Sequence, residues 1–389
     1  MSQNPHCPRP AHIAFMSIPA HGHVNPGLGL VAALAERGHR VTYATTSEFA
    51  EPVRDAGADP VLYTSTLPSA SGPVREWPDD LVVAQQMFLD ETAAVVPQLE
   101  QAYRDDVPDL LVYDIAGFQA LVLAERWGVP RIQLSPTHVH FEGAEDLVPE
   151  APELLEVRSR FEAYFAERGT GLRYRDIVVP GRCIATIPKS FQLSSDGVSA
   201  EVAFVGPLLT ERATVVSWEP PDDRPVLVIS LGSAYNNRPD FYRECLRAFG
   251  EGDYHVVMAV GHGIDPADLG DVPPHVEVHQ WIPQLAVLGE ASAFITHAGM
   301  GGTMEGLYRA VPMVAVPQAV DQFMNAARLE ELGVGRRLDS ATATAADLRA
   351  AVDELTRDAD VHRRLREIQR EMLESGGLRR AVEVVESEL

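Results

Sequence analysis

Phe294-Ile295-Thr296-His297-Ala298-Gly299-Met300-Gly301-Gly302-Thr303-Met304-Glu305 takes the chain out of an apolar strand, around a glycine-rich turn carrying a histidine, and into a helix. A helix start leaves its first N–H groups without intrahelical acceptors, and the helix dipole places positive charge there. The turn therefore predicts an anion site, with the N–H groups of Gly302 and Thr303 as donors and His297 beside them. There is no Gly-Lys-Ser/Thr, so this is not a nucleotide P-loop, and Met304 stands where the dinucleotide fingerprint needs its third glycine. A glycine turn that only eases strand-to-helix packing is the alternative.

Outward from this turn, the strand-then-helix unit repeats. Apolar runs at 226–230, 255–260, 276–278, 293–296 and 313–316 read as strands, with helical patterns between them. Upstream the same alternation covers 12–18, 40–45, 61–63, 110–113 and 131–134, with helices expected at 26–37, 47–57 and 117–127. Short apolar strands separated by helices predict doubly wound parallel sheets, an α/β fold. Between the two series, 205–225 holds Gly206, Pro207, Glu219-Pro220-Pro221-Asp222-Asp223 and Pro225, a linker composition. The expected organisation is a domain over 1–206, a linker over 207–225 and a second domain over 226–389, facing each other across a cleft. The charged amphipathic helices at the end of the chain are candidates to pack back on the first domain. Two long segments, 64–90 and 137–171, fit the alternation poorly and carry Trp77, Phe88, Phe141, Phe161, Tyr164 and Phe165. They read either as binding loops above the strand ends or as local helices with a small core of their own.

Composition narrows the function classes. The 389 residues hold 32 Lys+Arg against 56 Asp+Glu, a formal charge of −24, which disfavours nucleic acid and anionic membrane as partners. Three cysteines, Cys7, Cys183 and Cys245, are too few and too scattered for a disulfide framework or a cysteine-ligated zinc. With no signal-peptide pattern and no apolar run of membrane-spanning length, a cytoplasmic location is expected.

Further polar residues fall at strand ends. Pro19-Ala20-His21-Gly22-His23-Val24-Asn25-Pro26 follows the first strand, and Asp114 closes the run Leu110-Leu111-Val112-Tyr113. If those strands are parallel, His23 and Asp114 enter one crevice, where a histidine can act as base and a carboxylate can set its tautomer. Taken singly, His23 could be an ordinary loop histidine and Asp114 a helix N-cap. Ser230-Leu231-Gly232-Ser233 could add donors to a phosphate, and Pro317-Gln318-Ala319-Val320-Asp321-Gln322 could serve sugar hydroxyls. The one Asp-x-Asp, Asp358-Ala359-Asp360, lies in a charged helical stretch, so no essential metal and no cofactor are expected.

The segment from His279-Gln280-Trp281-Ile282-Pro283-Gln284 through the glycine turn to Asp321-Gln322 resembles the donor-binding signature of UDP-dependent GT-B glycosyltransferases. The resemblance extends through His21-Gly22-His23-Val24-Asn25-Pro26 and Val112-Tyr113-Asp114-Ile115, and is strongest to actinomycete macrolide glycosyltransferases. It implies Trp281 stacked on uracil and Gln284 near base and ribose. His297, Gly302 and Thr303, with Ser233 on the other loop, would hold diphosphate. It further implies Glu305 on the ribose hydroxyls, Asp321 and Gln322 on the hexose, and His23 as base with Asp114 as its partner. Met87, Phe88 and Phe141, in or beside the long segments, are the acceptor-site candidates. The implied activity is inverting, metal-independent transfer of glucose from UDP-glucose to a macrolide hydroxyl. A tailoring enzyme using a thymidine diphosphate deoxysugar is the nearest rival; a sugar epimerase and a non-catalytic binder are remote ones. The implied partners are a nucleotide sugar and a small-molecule acceptor.

Overall fold

The computed structural model describes residues 9–69, 77–78, 80–144, 151–209, 217–232, 236–319 and 321–389. It divides into two compact units, Met1–Leu208 with Gly376–Leu389, and Leu209–Ser375. Of the segment expected to be a linker, 210–216 lie outside the described residues.

The first unit is built on strands β1 (His12–Met16), β2 (Arg40–Thr45), β3 (Asp59–Leu62), β4 (Leu110–Asp114), β5 (Arg131–Ser135), β6 (Cys183–Ala185) and β7 (Val202–Phe204). They form one parallel sheet in the order β3-β2-β1-β4-β5-β6-β7. Helices α1 (His21–Glu36), α2 (Ala50–Asp55), α3 (Leu81–Ala102), α4 (Gln119–Trp127), α5 (Pro152–Glu167) and α6 (Arg175–Val178) belong to it. Successive strand side chains point to opposite faces, so Ile13 and Phe15 of β1 enter one core while Ala14 and Met16 enter the other. Burial on both faces is why the strands read as unbroken apolar runs.

The second unit repeats the plan with β8 (Val226–Ser230), β9 (His255–Ala259), β10 (Val276–His279), β11 (Ala291–Thr296), β12 (Met313–Ala315) and β13 (Gly335–Arg337). Its parallel order is β10-β9-β8-β11-β12-β13. Helices α7 (Pro239–Phe249), α8 (Gln284–Val287), α9 (Met300–Tyr308), α10 (Gln322–Glu331), α11 (Ala345–Arg357) and α12 (Ala359–Glu374) belong to it. The chain then passes Gly376 and Gly377, both at positive φ, into α13 (Gly377–Glu386), which is part of the first unit. Ala381, Val382, Val384 and Val385 of α13 share a core cluster with Val24, Leu30 and Leu34 of α1. Glu386 accepts from Arg37 at 2.5 and 2.8 Å and lies 3.3 Å from His39 Nε2. Among the described residues, no helix is long and apolar enough to cross a membrane.

Two local expectations change. Helix α1 starts at His21 rather than Pro26, so His23 sits in a helical first turn and not on a loop. The first turn forms upstream of Pro26, where the His23 and Val24 N–H groups both bond the Ala20 carbonyl at 2.9 Å, so Pro26 stands inside the helix and gives the Gly22 carbonyl no i+4 donor. The segments 64–90 and 137–171 supply parts of α3 and all of α5, which share one core.

Candidate active site

In a doubly wound sheet, the crevice lies where the strand order reverses. In the first unit that point is between β1 and β4, paired in parallel with Met16 opposite Tyr113. Asp114 is the next residue of β4, and His23 lies in the first turn of the helix leaving β1. The two side chains meet: His23 Nδ1 is 2.8 and 2.9 Å from the Asp114 carboxylate oxygens. Asp114 Oδ1 also accepts the Ala116 N–H at 2.9 Å. Helix α4 begins later, with Phe118 at its N-cap position, so Asp114 closes a turn and does not cap the helix. The turn is tight enough that a Cβ on Gly117 would stand 2.9 Å from the Met16 carbonyl. With Nδ1–H donated to a carboxylate, the imidazole keeps its lone pair on Nε2, the form a general base requires. Asp114 is buried, whereas the His23 side chain is 29% exposed and can meet a substrate. Beneath them, the Tyr43 hydroxyl donates to Ser17 Oγ at 3.0 Å and the Tyr63 hydroxyl to the Ser17 carbonyl at 3.1 Å, fixing the turn that leads into α1. Neither tyrosine gave a signal in the sequence, because a strand tyrosine reads as core.

The second unit has the same reversal between β8 and β11, with Ser230 opposite Thr296. His297 follows Thr296, and two glycines hold its ring. A Cβ on Gly232 would lie 2.5 Å from His297 Cε1, and one on Gly299 would collide with Nε2 more severely. Ala298, between His297 and Gly299, has φ +60°. Helix α9 then starts at Met300 with no side-chain cap. One expectation is corrected here: the Thr303 N–H bonds the Gly299 carbonyl at 3.0 Å, so the N–H groups left open by helix geometry are those of Met300, Gly301 and Gly302. Thr303 Oγ1 and His297 Nδ1 are buried without a hydrogen-bond partner, which leaves polar capacity at the turn. Ser233 lies outside the described residues.

Among the described residues Trp281 is the most exposed of the large apolar side chains, at 71%. Gln284 Nε2 donates to Glu305 Oε2 at 2.5 Å, a pairing that sequence reading missed because the two are 21 positions apart. Burial raises the Glu305 pKa, opposed by the Gln284 hydrogen bond and the Arg309 charge. Asp321 precedes α10, and its Oδ2 accepts from Asn325 Nδ2 at 3.1 Å. Gln322 is buried, and its Oε1 takes the N–H groups of Gln318 at 2.8 Å and Ala319 at 3.1 Å. It braces its own loop, so a sugar contact from Gln322 is confined to the side-chain NH2.

A family model described as UDP-glucoronosyl and UDP-glucosyl transferase matches residues 207–370. The oleandomycin glycosyltransferase of Streptomyces antibioticus is 47% identical over 394 residues, covering 98% of this chain and 91% of that protein. The chain belongs to this glycosyltransferase family. Among solved structures, the kitacinnamycin glycotransferase matches with a TM-score of 0.89 and 41% identity, covering 98% of this chain and 100% of that one. The calicheamicin glycosyltransferase CalG4 matches at 0.88 and 37%, covering 98% and 99%. The fold is accordingly GT-B: two Rossmann-like α/β units.

In this glycosyltransferase the aromatic residues of the long segments are mostly structural. Phe161 and Phe165 are fully buried with Phe118, and Phe88 packs edge-on against Phe118 with ring centroids 5.7 Å apart. Phe141 is also buried, whereas Met87 is half-buried on α3. Their abundance therefore reflects the core that α3 and α5 share, and is weak evidence for an apolar ligand. Asp358 caps α12, its Oδ1 accepting the Asp360 N–H at 2.7 Å, and Asp360 pairs with Arg363 at 3.0 Å. The Asp-x-Asp is thus a helix start. Among the described residues no group of three or more His, Cys, Asp and Glu could hold a metal ion.

Burial pushes the His297 pKa down to about 4, only partly offset by the Ser230 backbone. His297 is therefore neutral at physiological pH. A histidine whose folded pKa lies below its unfolded value of ~6.5 favours folding fully above that value. The contribution is lost as pH falls towards the folded pKa, by on the order of 3 kcal/mol in all. The acid limb of stability between about pH 6.5 and 4 is expected to be shallower in His297→Gln. Thermal melts across that range check it, and equal slopes would remove His297 as the cause.

Proposed function

We propose that this glycosyltransferase moves glucose from UDP-glucose to a hydroxyl of a macrolide or a similarly bulky natural product, with inversion and without a metal, in the cytoplasm. The His23–Asp114 contact is the observation that carries the proposal. A protein that only bound a nucleotide sugar would have no use for a base whose tautomer a buried carboxylate sets. In the reaction, His23 Nε2 takes the proton of the acceptor hydroxyl and Asp114 stabilises the imidazolium formed. The acceptor oxygen forms its bond to the anomeric carbon as the bond from that carbon to the diphosphate oxygen breaks. UDP leaves with the electron pair, and its charge is met by the Met300, Gly301 and Gly302 N–H groups and by His297. A single in-line displacement inverts the anomeric centre. Trp281 stacks on the base, Gln284 and Glu305 take the ribose, and Asp321 takes the hexose.

Supporting the macrolide acceptor is the similarity to the oleandomycin enzyme over nearly the whole chain. Glucosylation of such a compound would serve to inactivate it.

A mass-spectrometric transfer assay with chelator present, UDP-glucose as donor and a panel of macrolides and flavonoids tests the whole proposal. A macrolide product heavier by one hexose is the expected result. Transfer only from thymidine diphosphate deoxysugars would replace resistance by tailoring of a biosynthetic product. Transfer that stops with chelator and returns with a divalent ion would overturn the metal-free step.

A further inference from the structure

We infer that Asn325 is a positioning residue for the donor: one buried side chain holds the His297 turn and the Asp321 carboxylate in a single arrangement. Asn325 lies on α10 and is fully buried. Its Nδ2 donates to the Ala298 carbonyl at 3.0 Å, 27 positions away, and to Asp321 Oδ2 at 3.1 Å. Both partners can only accept, so the amide nitrogen must face them; the reversed amide would set oxygen against oxygen twice. Oδ1 is buried with no partner, which disfavours an amide at this position on stability grounds alone. The reason for asparagine therefore lies with its nitrogen.

What that nitrogen holds is a strained turn. Ala298 sits at φ +60°, a conformation that a residue with a side chain rarely adopts. Its N–H bonds Thr296 Oγ1 at 3.2 Å and its carbonyl bonds Asn325, so the residue is pinned from both ends. Ala298 stands between His297 and Gly299, so its conformation sets the direction of the His297 ring and of the entry into α9. Through its second bond, Asn325 also turns the carboxylate of Asp321. Shape and charge at the phosphate-side turn and the hexose-side loop thus depend on one amide.

The inference rests on reading this turn as the donor site. Its test is steady-state kinetics with calorimetric UDP and thymidine diphosphate binding, on the full chain. Asn325→Asp keeps the shape but places a carboxylate against a carbonyl and against another carboxylate. The donor KM is expected to rise on the order of tenfold to hundredfold, with the acceptor KM within about twofold. Asn325→Ala should show a smaller rise. Adding Ala298→Gly, which removes the penalty for positive φ, should then recover most of the donor KM lost by Asn325→Ala. If Asn325→Asp fails to fold, the Asn325→Ala and Ala298→Gly pair carries the test. Donor KM unchanged in a folded variant, donor and acceptor KM rising together, or no recovery with Ala298→Gly would overturn the role of Asn325. A wild-type protein that binds neither diphosphate would overturn the donor reading, and this inference with it.

Discussion

His23→Ala is expected to lower turnover by about 10²–10⁴-fold while leaving UDP affinity unchanged. The two readouts separate because Trp281, Gln284, His297, Gly302, Glu305 and Asp321 lie within Leu209–Ser375, where Gln284 bonds Glu305 and Asp321 bonds Asn325. His23 and Asp114 belong to the other unit. Asp114→Asn should reproduce much of the loss. An asparagine must put its NH2 at one of two positions that both contact His23 Nδ1, at 2.8 and 2.9 Å. Because the Ala116 N–H requires an acceptor at the Oδ1 position, the NH2 goes to the other one. The amide oxygen stays 2.8 Å from Nδ1 and can still accept its proton, so the expected loss comes from the missing charge that stabilises imidazolium and from an NH2 that now competes at Nδ1. Single-turnover transfer at saturating donor measures both variants. Turnover within a few-fold of wild type in His23→Ala would show that another group takes the proton.

Gly299→Ala should damage the donor side almost as severely, through a different cause. The backbone at Gly299, φ −62° and ψ 145°, suits any residue, so the cost is not conformational. It arises because the new Cβ would occupy the place of His297 Nε2, and the ring cannot retreat past Gly232, itself already close-packed on it. Overpacking of this kind costs about 1–3 kcal/mol, so a melting temperature lower by several degrees is expected. UDP affinity should fall roughly 10- to 100-fold, because the displaced ring enters the space beside the open N–H groups. A cycle with His297→Ala isolates the cause: with the ring gone, Gly299→Ala should add little. A UDP dissociation constant within threefold of wild type in Gly299→Ala would show that the position of His297 does not matter to the diphosphate.

The α/β alternation, the linker composition and the glycine turn before α9 could all be read from the chain, because periodicity and glycine placement are local. A strand buried on both faces must be apolar throughout, so β1, β4, β8 and β11 announce themselves in a few residues each. The three-residue strands β6, β7 and β13 carry too little pattern and are not expected from the sequence. The start of α1 was misplaced because a proline usually opens a helix, and only the hydrogen bonds to the Ala20 carbonyl show that the turn forms earlier.

Sequence alone determined that His23 and Asp114 close or follow strands, and that His297 stands in a glycine-rich turn between a strand and a helix. The tertiary structure decided which of these meet. His23 and Asp114 are 91 positions apart and touch because β1 and β4 are neighbours at the order reversal. The Gln284–Glu305 bond, the approach of Gly232 to the His297 ring and the bond from Asn325 to the Ala298 carbonyl likewise join residues from separate strand–helix units. The same holds for the aromatic residues of the long segments, whose composition suits a ligand pocket and a core equally well until α3 is seen packing on α5. Local pattern records how a residue is buried, since burial follows from period and polarity. Which partner it is buried against depends on strand order, and no short window of sequence carries that.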